Sequence, residues 1–459
     1  MEGFFKLRKH DTTIGREIMA GITTFVTMAY ILFVNPQVLS ATGMNESAVF
    51  FATSIGAGII TLLMGLFVNY PIALAPGMGL NAYFAVIAAT HGGQMSWQTA
   101  LGAVFISGIV FIILTVTKIR QLLVRAVPDS LKLAITVGIG LFITIIGLKI
   151  GDVMKMQFVG GQSTSYTPAP PHNMISNTDW LPVLGSLQNH ATQLTLIGVF
   201  IIAIMMALRV PGAILIGILL TTVIGIPMGV TDLSGLQHPH FLPDFSNLAV
   251  GKLSLQGVLH YGIISSLFTF TFVELFDTFG TLVGTANKAG LLEGEDGEKR
   301  LGRAMLVDAT GVSFGALLGT STITAFVESG SGIAAGGRTG LTAVTTGILF
   351  LASLFLAPIA LIVPDMATAP ALIMVGVLMM GAVRNIDWDN MGLAIPAFLT
   401  IVLMPLTYSI SNGIAVGFAA FVVINGILWL FRREHTKIHW LMWIIVVLAA
   451  WRYLMYYQQ

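Results

Sequence analysis

The chain contains no cysteine in its 459 residues. Disulfides, thiol nucleophiles and cysteine-ligated metals are therefore excluded. Charge is nearly as scarce. Lys, Arg, Asp and Glu make up 9% of the chain, against about 25% in an ordinary soluble domain. The net charge is +1, and no basic stripe offers a surface to nucleic acid. Soluble-enzyme signatures are missing as well. GVSFG (311–315) has G-x-S-x-G spacing, but it lies inside an apolar span rather than at a strand-to-helix turn, and there is no H-E-x-x-H helix and no spaced histidine set for a metal. GMGLNA (77–82) has G-x-G-x-x-A spacing, but no soluble βαβ unit surrounds it, so it does not read as a dinucleotide site. His91, His190, His238 and His240 fall in expected loops and receive no role.

What the chain has in excess is apolar sequence, at 55% of all residues. Runs long enough to cross about 30 Å of hydrocarbon recur from Gly15 to Tyr457. The pattern predicts an all-α polytopic membrane protein. Spans are expected near 17–40, 48–69, 72–90, 98–117, 129–150, 193–208 and 211–229. A second set is expected near 259–285, 302–318, 322–337, 339–358, 367–383, 391–408 and 411–430. The final apolar stretch, 439–457, reads equally as a further span or as an interfacial helix. MEGFFKLRKHDTTIGRE reads as a cytoplasmic tail, because the apolar run after it is too long for a cleaved signal peptide.

Loop charges orient the chain. With the N-terminus inside, the cytoplasmic connections carry Lys118, Arg120 and Arg125, then Arg209, then Lys288, Lys299, Arg300 and Arg303. Arg338, Arg384, Arg432, Arg433 and Lys437 follow. Only Lys149, Lys155 and Lys252 fall on the outer side, as the positive-inside rule requires. The external loop 151–192 is polar and is expected to lack a clear fold, and LLEGEDGEKR (291–300) reads as a solvated cytoplasmic loop.

The two halves resemble each other. VPDSLKLAITVGIGLFITIIG (127–147) and VPDMATAPALIMVGVLMMGAV (363–383) share their first three residues and match again at Gly140 and Gly376. Seven spans per half force the second copy to be inverted, which is the signature of secondary transporters. In each half one segment looks broken. NYPIALAPGMGLNAYFAVIAA (69–89) predicts an extended piece to Ala75 and a half-helix starting near Pro76. GTSTITAFVESGSGIAAGGRTG (319–340) is Thr-rich first and Gly- and Ser-rich later. Irregular backbone at membrane depth survives only where it is buried in protein or lines a cavity.

Acids inside apolar runs mark the site. Glu274 and Asp277 lie in FTFTFVELFDTFGTLVG (268–284), spaced i and i+3 on one helix face. Glu328 sits in the second broken segment. A charge at the bilayer centre costs at least about 2.5–3.5 kcal/mol, so such acids face a cavity or an ion path. Each has a plainer reading as a structural acid hydrogen-bonded to a neighbouring helix. Asp308, in MLVDATGVSFG, reads equally as a proton-coupling acid or as a structural acid near a helix end and Arg303. Asn81 either binds substrate or satisfies backbone groups freed by the break. Phe272, Phe326, Tyr83 and Phe84 are candidates for stacking on a ligand, with packing as the simpler role.

VTMAYILFVNPQVL (26–39), ALAPGMGLNAYF (73–84), FVELFDTFGTLVG (272–284) and GTSTITAFVESGSGIAAGGRTGLTAV (319–344) resemble the AzgA-like branch of the nucleobase–cation symporter-2 family. The resemblance covers nearly the whole chain. It implies proton-driven transport of adenine, guanine or hypoxanthine by a UraA-like fold, with fourteen segments in two inverted repeats. The third and tenth segments would be part strand and part helix. It implies core regions 17–125 and 258–358, gate regions 126–230 and 363–430, an N-terminal tail 1–16 and a C-terminal segment 431–459. By the same resemblance, Asn81, Glu274 and Glu328 contact the purine, and Asp277 affects transport more than binding. Ser329 keeps space beside the base. The implied partners are a purine and a proton in a bacterial cytoplasmic membrane, with a homodimer compatible and no cofactor beyond the proton gradient.

Three other readings compete. An anion carrier of this architecture would want fixed positive charge or bare helix dipoles at the site, and the acids argue against it. A membrane enzyme would need a nucleophile or metal set, and none is visible. A uracil, xanthine or urate carrier of the same fold is not excluded by physics alone.

Overall fold

The computed structural model describes residues 2–88, 95–117, 119–159, 179–234, 243, 245–246, 248–260, 270–271, 273–275, 278, 281–286, 289–291, 295–433 and 436–456. Among them, nine helical stretches are long and apolar enough to cross a membrane. The first is Ile14–Ser40, which divides into α1 (Ile14–Met28) and α2 (Ile31–Ser40). It is followed by α3 (Glu46–Leu63), which ends in a π turn over Met64–Val68. Strand β1 (Leu74–Pro76) leads into the shorter helix α4 (Met78–Ala88). Next come α5 (Trp97–Val116), the short α6 (Ile119–Ala126) and α7 (Asp129–Ile150).

After strands β2 (Met154–Val159) and β3 (Asp179–Leu184) come α8 (His190–Ala207) and α9 (Ala213–Gly225). The described residues between 270 and 286 are helical. Helix α10 (Glu295–Leu318) precedes strand β4 (Ile323–Ala325) and the six-residue α11 (Ser329–Ala334). Then follow α12 (Gly340–Ala352), α13 (Asp365–Met380), α14 (Met391–Leu406), α15 (Ile410–Leu430) and α16 (Trp440–Tyr456).

The helices pack in two sets. Helix α7 lies against α13 and α14, with α8, α9 and α15 around them. Helices α1, α3 and α12 form the second set, with α5 against α10 beside them. The contacts between sets run mainly through α4 on α7 and α2 on α13.

Both broken segments are extended and then helical. β1 and β4 pair antiparallel, with Leu74 opposite Ala325 and Pro76 opposite Ile323. The ladder continues past each end, as Gly77 N donates to Thr322 O (3.0 Å) and Phe326 N to Ala73 O (3.0 Å). Pro76 thus closes a strand rather than opening a helix, and α4 begins at Met78. The proline carries no donor, so it costs nothing at a ladder end.

The α7–α13 crossing has the same local symmetry. Each helix begins at the Asp of its Val-Pro-Asp, and the two run antiparallel with glycine against glycine. A Cβ on Gly140 would lie 3.0 Å from the Gly376 carbonyl and 2.6 Å from Met379 Cβ.

Three expectations need correction. Segment 151–192 contains a hairpin, with Met154 opposite Leu184 and Val159 opposite Asp179. Pro182 is opposite Met156 in a two-stranded ribbon, where each strand is an edge and a missing donor is tolerated. LLEGEDGEKR is only partly a loop, because α10 starts at Glu295. Arg300 there donates to Asn69 O (2.7 Å) and lies 5.1 Å from the Tyr70 ring centre. Arg120, read as a loop charge, is completely buried.

Polar side chains tie the helices together where the backbone needs donors or acceptors. Glu17 on α1 is buried and caps α12 from outside. It accepts from Arg338 N (2.9 Å), Thr339 N (3.2 Å) and the Thr342 hydroxyl (2.6 Å). A carboxylate at a helix N-terminus also meets the positive end of its dipole.

Candidate functional site

A cavity of about 370 Å³ lies between the β1–β4 ladder and the α7–α13 pair. That size falls within the range of about 300–1,000 Å³ usual for small-molecule sites. One wall is the two breaks, Gly77 to Gly79 and Thr324 to Glu328. The opposite wall is mainly apolar, with Leu133 and Ile143 from α7 and Val375 and Met379 from α13, and Thr136 as its polar residue. Tyr30, at the α1–α2 junction, and Thr281 complete the polar side.

Glu328 is the carboxylate on this wall. It is half-buried and accepts a 2.8 Å hydrogen bond from the Tyr30 hydroxyl. It occupies the N-cap position of α11, yet its side chain makes no cap bond and remains directed to other partners. Phe326 lines the same cavity and is nearly buried, at 6% exposure. The first turn of α4, Met78 and Gly79, presents the positive end of an eleven-residue helix beside them. Gly79 is required there, because a Cβ would lie 2.6 Å from Ile139 Cγ2 on α7.

The other expected residues lie behind this wall. Asn81 is fully buried and its amide is engaged on both sides. Its Nδ2 donates to Asn35 Oδ1, and its Oδ1 accepts from the Ser321 hydroxyl. Asn35 in turn donates to Thr53 (2.7 Å) and Thr320 (2.9 Å). This network joins α2, α3 and α4 to the segment before β4. Ser329 Oγ accepts from Ala73 N (3.0 Å), locking the second break onto the first. Tyr83 packs edge-on against Phe270, with ring centres 5.4 Å apart. Phe84 is fully buried in the core.

Glu274 is 1% exposed, accepts from the Thr278 hydroxyl (3.0 Å), and is not among the described residues lining the cavity. Phe272 and Asp277 lie outside the described residues. Asp308 is fully buried well inside α10, away from its ends. Its ion-pair partner is Arg120 (3.6 Å) rather than Arg303, and its Oδ1 accepts from Ala325 N (3.1 Å). That bond fixes the end of β4 three residues before Glu328.

Sequence reasoning missed Tyr30, Arg120 and Glu17. Tyr30 was visible only as part of a motif, since a lone tyrosine in an apolar run reads as packing. Arg120 and Glu17 flank spans, where charge is expected to be solvated.

A second cavity of about 370 Å³ opens at the other end of the α7–α13 pair, lined by Ala82, Ile146, Lys149, Asp365 and Leu372 among others. About one helical turn of α7 and α13 separates the two cavities, from Ile143 to Ile146 and from Val375 to Leu372. Gln37 on α2 crosses to α13 at this end. It donates to Val363 O (2.6 Å) and accepts from the Thr368 hydroxyl.

Comparison with known proteins places this geometry in context. Residues 15–416 match Xan_ur_permease, described as a permease family. The adenine permease AdeQ of Escherichia coli is 41% identical over 92% of this chain and 89% of its own length. The guanine/hypoxanthine permease PbuO of Bacillus subtilis is 42% identical over 94% of this chain and 96% of its own. Among solved structures, the transmembrane domain of the cyanobacterial bicarbonate transporter BicA superposes with a TM-score of 0.58. It covers 88% of this chain and 97% of that domain at 18% identity, which establishes a shared fold and nothing about cargo.

Proposed function

The chain belongs to the permease family Xan_ur_permease, the nucleobase:cation symporter-2 group, and we propose that it imports adenine, guanine or hypoxanthine together with protons. The observation that carries this reading is the Glu328–Tyr30 pair on the wall of a cavity between the two broken segments and the α7–α13 pair. A purine is planar and rich in donors. The Glu328 carboxylate accepts from a ring N–H or exocyclic amine, and the Tyr30 hydroxyl holds it in place. Phe326 offers a face or edge to the ring, and the α4 amides meet ring acceptors. Glu274, Asp277 and Asp308 take the proton-coupling role, since a carboxylate removed from water can hold a proton that a solvated one releases.

The two cavities support an alternating-access cycle. On this reading 17–125 and 258–358 form a core body and 126–230 and 363–430 a gate body, built as inverted repeats of seven segments. The antiparallel β1–β4 and α7–α13 pairs support that symmetry. With the N-terminus cytoplasmic, the site cavity lies inside the α7–α13 crossing and the second cavity lies outside it. Sliding one body past the other transfers the site across about one helical turn.

The likeness to a bicarbonate transporter raises an anion carrier as the rival. An anion site wants fixed positive charge or bare helix dipoles; α4 offers a dipole end, but the wall also carries the Glu328 carboxylate and, among its described residues, no lysine, arginine or histidine. The deciding experiment is uptake of radiolabelled adenine, hypoxanthine, guanine, uracil and xanthine in a permease-deficient bacterium, with and without a protonophore. Purine uptake abolished by the protonophore is expected. Uptake of none of these bases, or uptake indifferent to the gradient, refutes the proposal, and preference for uracil or xanthine would reassign the cargo.

A further inference from the structure

We infer that Arg120 is a positioning residue for proton coupling, the fixed counter-charge against which the buried acids gain and lose their proton. The guanidinium is fully buried on α6 and stacks over the Phe111 ring of α5 at 4.1 Å. Nη1 donates to Met305 O (3.4 Å), and Nη2 faces Asp308 Oδ2 at 3.6 Å. Glu274 is close enough for its charge to act on the same guanidinium. Helix α16 packs on α6 from another side, and its described side chains, as far as Trp451, bring no charge. Asp277 lies outside the described residues.

The described cluster therefore sets one permanent cation against two carboxylates. A proton on either acid removes one negative charge from beside the guanidinium. Less charge held in a low-dielectric interior costs less to move. A proton on Asp308 breaks no covalent bond; it turns a carboxylate into a carboxyl group and releases the hold on Arg120. The same Asp308 accepts from Ala325 N on the cavity wall, so its protonation state is felt at β4 and, three residues on, at Glu328. Arginine suits the task because it stays charged at any working pH.

This inference rests on the proton-symport reading, and the test separates the two. Purified protein is reconstituted in vesicles, and two rates are measured for a purine. One is net uptake driven by an acid-outside gradient; the other is exchange of labelled for unlabelled base with no gradient. Wild-type uptake indifferent to the gradient would sink the symport reading itself. Given a gradient-driven wild type, Arg120→Gln is expected to lose net uptake at least about tenfold while exchange stays within about threefold. Its pH profile should move to the alkaline side by about one unit or more. Arg120→Lys offers a cation that burial can neutralise, so its profile should lie between those of the wild type and Arg120→Gln. Arg120→Gln with Asp308→Asn removes both partners, leaves Glu274 to carry the proton, and should recover gradient-driven uptake relative to Arg120→Gln alone. Loss of uptake and exchange in equal proportion, or an unmoved pH profile, would make Arg120 a structural anchor. If Arg120→Gln does not fold, the lysine and double variants decide, and a double variant without gradient-driven uptake overturns the inference.

Discussion

One carboxylate, Glu328, stands on the cavity wall, while the other expected acids lie behind it or outside the described residues. Glu328 was legible in the sequence because an acid in an apolar run has no cheap explanation. Its partner was not, since Tyr30 is chemically an ordinary apolar-segment tyrosine until the fold brings it 2.8 Å from an acid 298 positions away. Glu328→Gln keeps the shape and removes the charge. It is expected to raise the apparent KM for purine uptake about tenfold to a hundredfold, the range for a hydrogen bond to a charged group. Tyr30→Phe removes one donor and should cost less than about tenfold. Initial rates of labelled purine uptake against concentration measure both, and a Tyr30→Phe effect larger than that of Glu328→Gln would reverse their roles. Asn81 shows the opposite limit. Its position in a broken segment was readable, but only the structure reveals that Asn35 and Ser321 already occupy its amide.

Elements are set by the same few residues that make them irregular. Pro76 and the adjoining glycines were enough to predict a break, and the strand was expected from the Thr-rich and apolar pieces. Its register was not, because the β1–β4 pairing joins positions about 250 apart and depends on where two helix bundles place their ends. The α7–α13 contact is similar. Gly140 and Gly376 stood out as matching positions in two related stretches, yet their mutual contact is a tertiary fact. Gly140→Val would drive a side chain into Met379 and the Gly376 carbonyl, so α7 and α13 must separate. An overpacking cost of about 1–3 kcal/mol is expected, read as a lower melting temperature in detergent. A variant that melts with the wild type would mean the crossing is loose. The hairpin β2–β3 was hidden for a different reason, since the polar character of 151–192 outweighed its two short extended stretches.

At the scale of the molecule, the polar tie through Gln37 bears on how the two helix sets move. Gln37 on α2 bonds to Val363 and Thr368 at the α13 end, where the second cavity opens. Gln37→Leu removes both bonds and should favour opening on that side by about fivefold to tenfold in population. The natural absence of cysteine makes this directly measurable. A reporter Leu372→Cys should react correspondingly faster with a membrane-impermeant thiol reagent when Gln37→Leu is added, and an unchanged rate would show that the tie does not control opening. The sequence by itself determined that this is a helical membrane protein with acids inside apolar runs and two broken segments, because a scarcity of charge and a surplus of apolar length leave no other solvent than lipid. It also determined the family, through motifs that extend over nearly the whole chain. Only the tertiary structure decided which acids meet the cavity, which pair with Arg120, and which glycines touch. Those outcomes depend on long-range packing, where a shift of one helical turn exchanges a residue on the wall for one behind it.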